Sequence, residues 1–298
     1  MPRKTVEIVE VAPRDGLQNE ARQIPTAEKL RLVEQAIAMG ARRIEVTSFV
    51  NPKKVPQMAD AEELMGLLPV RDDVTYIGLV LNGRGAERAI AAGVDELGAV
   101  CVASDEFGIR NQGQDRDQSV AVAGSIVRRA REAGLSGQVT IATAFGCPFE
   151  GKVPAARIVD MARGLAETSP REIALADTIG VGVPAQVGDL VAEIAEAIAP
   201  IPVRIHLHNT RNTGIANVWA AVEAGASTVD SSLGGLGGCP FAPGAAGNVA
   251  TEDVVYMLEQ SGVSTGMDLD RAIDASRWLS GVMERDLPAM VSKAPLFP

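Results

Sequence analysis

The chain has 298 residues, of which 46% are hydrophobic and 22% charged, with 30 glycines and 17 prolines. This composition argues against disorder, a collagen-like repeat and a coiled-coil rod, and the length suits one (β/α) barrel or two smaller domains. With 28 Lys+Arg against 38 Asp+Glu the net charge is −10, the wrong balance for a general binder of nucleic acid or anionic membranes. An anionic substrate would have to be met by a local basic cluster or a metal. Aromatic residues make up only 3%, so the core is expected to be Ala, Val, Ile and Leu. Cys101, Cys147 and Cys239 are widely spaced, with no CxxC pair. That pattern argues against a disulfide framework or a structural zinc site and favours a reducing compartment. Met1–Lys4 runs into an alternating stretch without an apolar h-region, and no segment approaches roughly 18 apolar residues. A cytoplasmic protein is expected.

In chain order, short β-branched runs alternate with Ala/Leu/Glu-rich segments. The expected strands are Val6–Val11, Arg43–Ser48, Val74–Val80, Glu96–Val102, Val139–Ala144, Glu172–Asp177, Val203–His208 and Ser227–Ser231. Eight strands, each followed by enough chain for a crossover helix, are the arithmetic of a parallel (β/α)8 TIM barrel; a doubly wound open sheet is the competing reading. Gly40, Gly93, Gly134 and Gly225 stand where helices should end in the left-handed conformation. Thr26 is a candidate N-cap for the first helix, with Leu30, Val33 and Ile37 on its apolar stripe. The barrel is expected over residues 1–264, with a C-terminal helical appendage over 265–298 anchored by Trp278.

In such a barrel reactive residues gather where strands end. The two histidines of the chain, His206 and His208, fall at the end of the seventh strand, where residues i and i+2 point to one face. Two imidazoles on one wall are half of a metal-ligand set; the alternative is a hydrogen-bonded core pair. Oxygen ligands should come from other strand ends. After strand one comes Arg14-Asp15-Gly16, which also reads as a turn. Strand two places Glu45 and Thr47 on one face, and strand six ends at Asp177. A carboxylate inside an apolar barrel must be paired, so each of these is either an ion-pair partner or part of a site.

After strand eight, Gly234–Asn248 contains six glycines in fifteen residues, with a spacing that fits no nucleotide-binding fingerprint. It reads as a loop that closes over substrate. Cys239 within it is either a proton donor near a cation or an inert thiol. Asn248 either caps the next helix or offers an amide oxygen to a metal. Asp15, His206, His208 and Asn248 together would suit Mg²⁺ or Mn²⁺, and Zn²⁺ or Co²⁺ could occupy the same set. Such a set can run Lewis-acid chemistry on a hydroxy or carbonyl oxygen, with Arg14 placed to stabilise an enolate.

The stretches Val11–Glu20, Glu45–Val50, Ala144–Lys152, Ala176–Gly182 and Gly235–Asn248 resemble the 3-hydroxy-3-methylglutaryl-CoA (HMG-CoA) lyase family, in one order over residues 5 to 262. The resemblance implies metal-dependent retro-Claisen cleavage of HMG-CoA to acetyl-CoA and acetoacetate, a step of leucine degradation. It implies cation ligands at Asp15, His206, His208 and Asn248, and polarisation of the thioester carbonyl by Arg14. Cys239 would help protonate the enolate, and Glu45 and Asp177 would support the metal site and proton relay. Catalytic roles are thus expected at Arg14, Asp15, Glu45, Asp177, His206 and Cys239. The expected partners are an acyl-CoA and further copies of the chain, as a homodimer or larger homo-oligomer. One departure stands out: where the family reads Asp-Thr-Tyr-Gly, this chain has Asn209-Thr210-Arg211-Asn212-Thr213-Gly214. Arg211 either tunes acyl specificity, towards citramalyl-CoA or isohexenylglutaryl-CoA for example, or is a solvated loop residue. Competing functions are a condensing acyltransferase of the same fold and a metal-dependent barrel that only binds.

Overall fold

Valine and isoleucine crowd the expected strands because a strand in a parallel barrel is covered on both faces, by the barrel interior and by the helical ring. The computed structural model, which describes residues 4–238 and 247–295, closes these runs into one ring. The strands are β1 (Glu7–Glu10), β2 (Arg43–Ser48), β3 (Thr75–Val80), β4 (Glu96–Val102), β5 (Ser136–Ala142), β6 (Ile173–Asp177), β7 (Val203–Leu207) and β8 (Thr228–Ser231). Each pairs in parallel with the next, and β8 returns to β1. The barrel reading holds, and the open sheet is excluded. Strand ends differ from expectation by up to three residues. β5 starts three residues early, where Ser136 to Gln138 continue the ladder with β4.

The outer ring comprises α1 (Thr26–Ala38), α2 (Ala61–Leu67), α3 (Gly83–Ala91), α4 (Asp105–Gln112), α5 (Arg116–Glu132), α6 (Ala155–Ala166), α7 (Pro184–Ile198), α8 (Gly214–Glu223) and α9 (Thr251–Gln260). A further helix, α10 (Leu269–Met283), packs on α1. There the Arg31 guanidinium lies 4.9 Å over the Trp278 ring. No described helix is long and apolar enough to cross a membrane.

The four glycines expected at helix ends all have positive φ. At Gly40 a side chain would also meet the Gly266 carbonyl at 2.6 Å. Two local expectations fail. Pro25, not Thr26, occupies the N-cap of α1, because the Thr26 hydroxyl donates to Asp60 instead. In β2 a bulge between Glu45 and Thr47 shifts the register against β3. The bulge breaks the alternation: Thr47 turns onto the Met58 sulfur, and the Ser48 hydroxyl reaches Gln18.

The segments that will carry the site are tied together by one buried acid. Glu10, at the end of β1, accepts from the amides of Ala12 (2.8 Å) and Leu233 (3.0 Å) and from the Thr251 hydroxyl (2.7 Å). The turns after β1 and β8 and the start of α9 therefore share an anchor. Burial pushes the Glu10 carboxyl up to about 7, against these three hydrogen bonds and with the neighbouring Glu252 adding to the rise.

Candidate active site

At the end of β1 the backbone makes a single π-helical turn, Ala12–Gly16, closed by Gly16 N–H on the Val11 carbonyl (3.1 Å). Such wide turns recur where a side chain must be re-aimed at a functional site. Here the turn sends Arg14 and Asp15 inward, and Arg-Asp-Gly is not a hairpin turn. Arg14 Nε donates to Glu45 Oε2 at 2.7 Å, Nη2 lies 2.5 Å from the same oxygen, and Nη1 donates to Asp15 Oδ1 at 2.5 Å. Burial works against charge on Arg14, but the two carboxylates outweigh it and raise the guanidinium above its ordinary value. Glu45 is the reverse case: burial lifts its carboxyl in spite of Arg14.

The histidines project together as the period of the strand requires. Their ring centroids are 5.2 Å apart, and His206 Nε2 lies 3.2 Å from His208 Nε2 and 3.8 Å from Asp15 Oδ2. One ligand atom from each of Asp15, His206 and His208 falls within 4.8 Å of the others. Asn248 joins them: its Nδ2 donates to Asp15 Oδ2 (2.8 Å) and to the Leu236 carbonyl (3.2 Å). It does not cap α9, whose N-cap is Ala250. At Gly237, where φ is +117°, a side chain would strike Asn248 Nδ2 at 2.7 Å, so glycine is required for the loop to pass the amide.

The charges of the cluster are interdependent. Burial alone would raise the Asp15 carboxyl, but Arg14, the two imidazoles and the Asn248 amide hold it well below the usual carboxylate range. Burial and the adjacent His206 push His208 down to about 4, which keeps it neutral near pH 7. His206 goes the other way: the hydrogen bond to Asp230 and the charge of Asp15 outweigh its burial and raise it.

Asp230, in β8, accepts from His206 Nδ1 at 3.0 Å and from Arg204 Nε at 2.5 Å. Neither Asp230 nor Arg204 is among the residues expected from sequence. Like Glu45, each is a charged residue inside a buried strand. Asp177 is the last residue of β6. Its two carboxylate oxygens accept from the backbone amides of Val181 (2.9 Å) and Gly182 (2.8 Å), so it pins the loop after β6. It is not among the cavity-lining residues. Arg211 is also committed: Nη1 donates to the carbonyls of Ile179 (2.9 Å) and Gly180 (3.0 Å) in that loop. Cys239 lies outside the described residues.

The cluster forms part of the wall of a cavity of about 690 Å³. Small side chains, Ala142 and Ala176, line its interior, and Lys54 and Arg110 line it at exposed positions.

Fold and site together define a (β/α)8 barrel with an acid–imidazole cluster at the carboxyl ends of its strands. The HMGL-like family model matches residues 5–279, and the chain belongs to that family. It is 44% identical to the (R)-citramalyl-CoA lyase of Chloroflexus aurantiacus over 99% of this chain and 96% of that protein. Among solved structures, the HMG-CoA lyase of Bacillus subtilis superposes with a TM-score of 0.94 at 38% identity, covering 98% of this chain and 99% of that one. The HMG-CoA lyase of Acinetobacter baumannii, in complex with coenzyme A and 3-methylmalate, gives 0.93 at 41% identity over 99% and 97%.

Proposed function

We propose that this protein is a divalent-metal-dependent carbon–carbon lyase that cleaves HMG-CoA to acetyl-CoA and acetoacetate. The observation that carries the reading is the convergence of Asp15, His206 and His208 beside Arg14 in one cavity. The donor set fits a cation. Two imidazole nitrogens 3.2 Å apart, one of them 3.8 Å from a carboxylate oxygen, bring lone pairs together that a positive ion would hold. Mixed nitrogen and oxygen donors without thiolate suit Mg²⁺ or Mn²⁺. Asn248 donates through Nδ2 as it stands, and joining the ligands through Oδ1 requires the amide to turn. When bound, the cation supplies Lewis-acid polarisation of the substrate's 3-hydroxyl.

The rest is work for the chain's own residues. As the 3-hydroxyl passes its proton to the acid–imidazole cluster, the C2–C3 bond breaks, C3 becomes the ketone carbonyl of acetoacetate, and the electron pair passes into the thioester enolate. Arg14, held rigid by Glu45 and Asp15, offers its guanidinium to the enolate oxygen. Protonation of C2 then gives acetyl-CoA, with the Cys239 thiol as donor. Asp177 acts by fixing the loop after β6. The exposed Lys54 and Arg110 supply local cations for the CoA phosphates in an otherwise acidic protein. The free, buried thiols of Cys101 and Cys147 suit a reducing cytoplasm.

A second reading is favoured by the 44% relative: cleavage of citramalyl-CoA, one methylene shorter, to acetyl-CoA and pyruvate. Purified protein assayed with both thioesters, with chelator and with restored Mg²⁺ or Mn²⁺, tests the proposal. Acetoacetate formation that chelator abolishes supports the first reading; pyruvate formation at much higher kcat/KM replaces it with the second. Release of free CoA from acetyl-CoA and a 2-oxo acid, without either cleavage, would instead mark a condensing enzyme.

A further inference from the structure

His206 is engaged on the side of its ring away from the metal cluster as well. Its Nδ1 meets Asp230 Oδ2 at 3.0 Å, and Asp230 Oδ1 accepts from Arg204 Nε at 2.5 Å. Arg204 in turn reaches Glu172 Oε1 at 3.3 Å, which is shared with Arg43 Nη2 at 2.7 Å. Arg43 and Arg204 are each only 1% exposed. An unbroken chain of charge-assisted contacts therefore runs up the inside of the barrel and ends on a ring nitrogen of a ligand.

A carboxylate can only accept, so a hydrogen bond between Asp230 and Nδ1 places the ring proton on Nδ1. In the neutral ring Nε2 is then left with its lone pair, facing His208 Nε2 and Asp15 Oδ2. We infer that Asp230, oriented by Arg204, is the positioning residue that keeps His206 in the metal-ligating tautomer; this rests on the metal-dependent reading above. Metal-bound histidines in general need such a partner behind the ring. What is particular here is that Arg204 fixes which way the partner faces. In Asp230→Asn the amide oxygen is claimed by Arg204 Nε, so the amide NH₂ is turned on Nδ1. Nδ1 must then accept, the proton moves to Nε2, and the lone pair aimed at the metal is lost. The same inversion of imidazole by an Asp→Asn change is known for the Ser-His-Asp triad.

The chain holds two histidines, so ¹⁵N spectra of histidine-labelled, metal-free protein carry two imidazoles, assigned with His208→Gln. At a pH high enough for the ring to be neutral, the wild type is expected to show His206 protonated at Nδ1 alone, and Asp230→Asn at Nε2. Mn²⁺ affinity, measured by titration without substrate, is expected to fall about 10–100-fold in Asp230→Asn. It should fall less in Arg204→Gln, which keeps the carboxylate. An Asp230→Asn protein that keeps the Nδ1 proton and binds Mn²⁺ within twofold of wild type overturns the inference. Should that variant not fold, the wild-type spectrum decides, because a neutral His206 ring with its proton on Nε2 overturns it equally. A wild type that shows the Nδ1 proton yet binds no Mn²⁺ overturns the metal-dependent lyase reading and leaves the Asp230 contact standing.

Discussion

The barrel interior carries charge at both ends, and the two ends treat it in opposite ways. Near the amino ends of the strands, Arg43 pairs with Glu7, Glu96 and Glu172, and Arg204 with Glu172 and Asp230. Each guanidinium is surrounded by carboxylates, and Glu96 and Glu172 have at least two cationic partners. At the carboxyl ends the reverse holds: acceptor atoms of Asp15, His206 and His208 face one another, with the Arg14 guanidinium paired to Asp15 beside them. A buried ion is costly unless paired. The lower cluster meets that cost from within the chain and contributes a fixed geometry. The upper cluster leaves part of it to be met by something that binds, which is how a site differs from a plug.

Substitutions at the two ends should therefore separate activity from stability. The largest effect is expected at the upper cluster: Asp15→Ala or His206→Ala should lower lyase turnover by several orders of magnitude while the thermal midpoint of the metal-free protein changes little. Arg14→Gln should cost about 10²–10³ in kcat, as for loss of a preorganised donor to an oxyanion, with Mn²⁺ affinity nearly kept. At the lower cluster, Arg43→Met takes one cation each from Glu96 and Glu172, leaving Arg171 and Arg204 beside them, and should destabilise the fold by about 3 kcal/mol in denaturant titrations. Turnover of the folded fraction should be near normal, and a collapse of kcat there would dissolve the contrast.

Glu10 lies between the two behaviours, a buried acid paired with no cation among the described residues. Its carboxyl rises from 4.5 to about 7, so between those pH values the folded state holds a proton that the unfolded state releases. Its contribution to stability therefore falls as pH rises through that window. Glu10→Gln should flatten the pH dependence of the thermal midpoint there and gain most on the wild type above pH 7. The smallest effect is expected at Arg211. Because its Nη1 holds the Ile179 and Gly180 carbonyls, Arg211→Tyr should alter kcat/KM by less than about tenfold. The order of preference among HMG-CoA, citramalyl-CoA and isohexenylglutaryl-CoA should stay the same. A reordered preference would return Arg211 to the substrate.

The barrel was legible because strand composition and helix-end glycines are local signals, and so was the histidine pair, whose common face follows from strand period alone. Glu45 was legible as a charge in an apolar strand, but its neighbour Thr47 was not, because a bulge in β2 breaks the alternation and only tertiary pairing reveals it. Asp177 and Arg211 carry the residue types of a site, yet their hydrogen bonds go to backbone atoms of one loop, which no pattern of side chains announces. Asp230 and Arg204 escaped for the opposite reason. Each looks like an isolated ion until the register of β7 against β8, with His206 opposite Asp230, sets them side by side.

The central claim is that Asp15 and the two imidazoles share one ion. A crystal of the protein grown with Mn²⁺, measured at a wavelength where manganese scatters anomalously, tests it most directly. The expected map has one strong peak within about 2.0–2.3 Å of an Asp15 oxygen and of Nε2 on both His206 and His208. A fully loaded crystal with no peak between these three side chains, or with its manganese elsewhere, would contradict it.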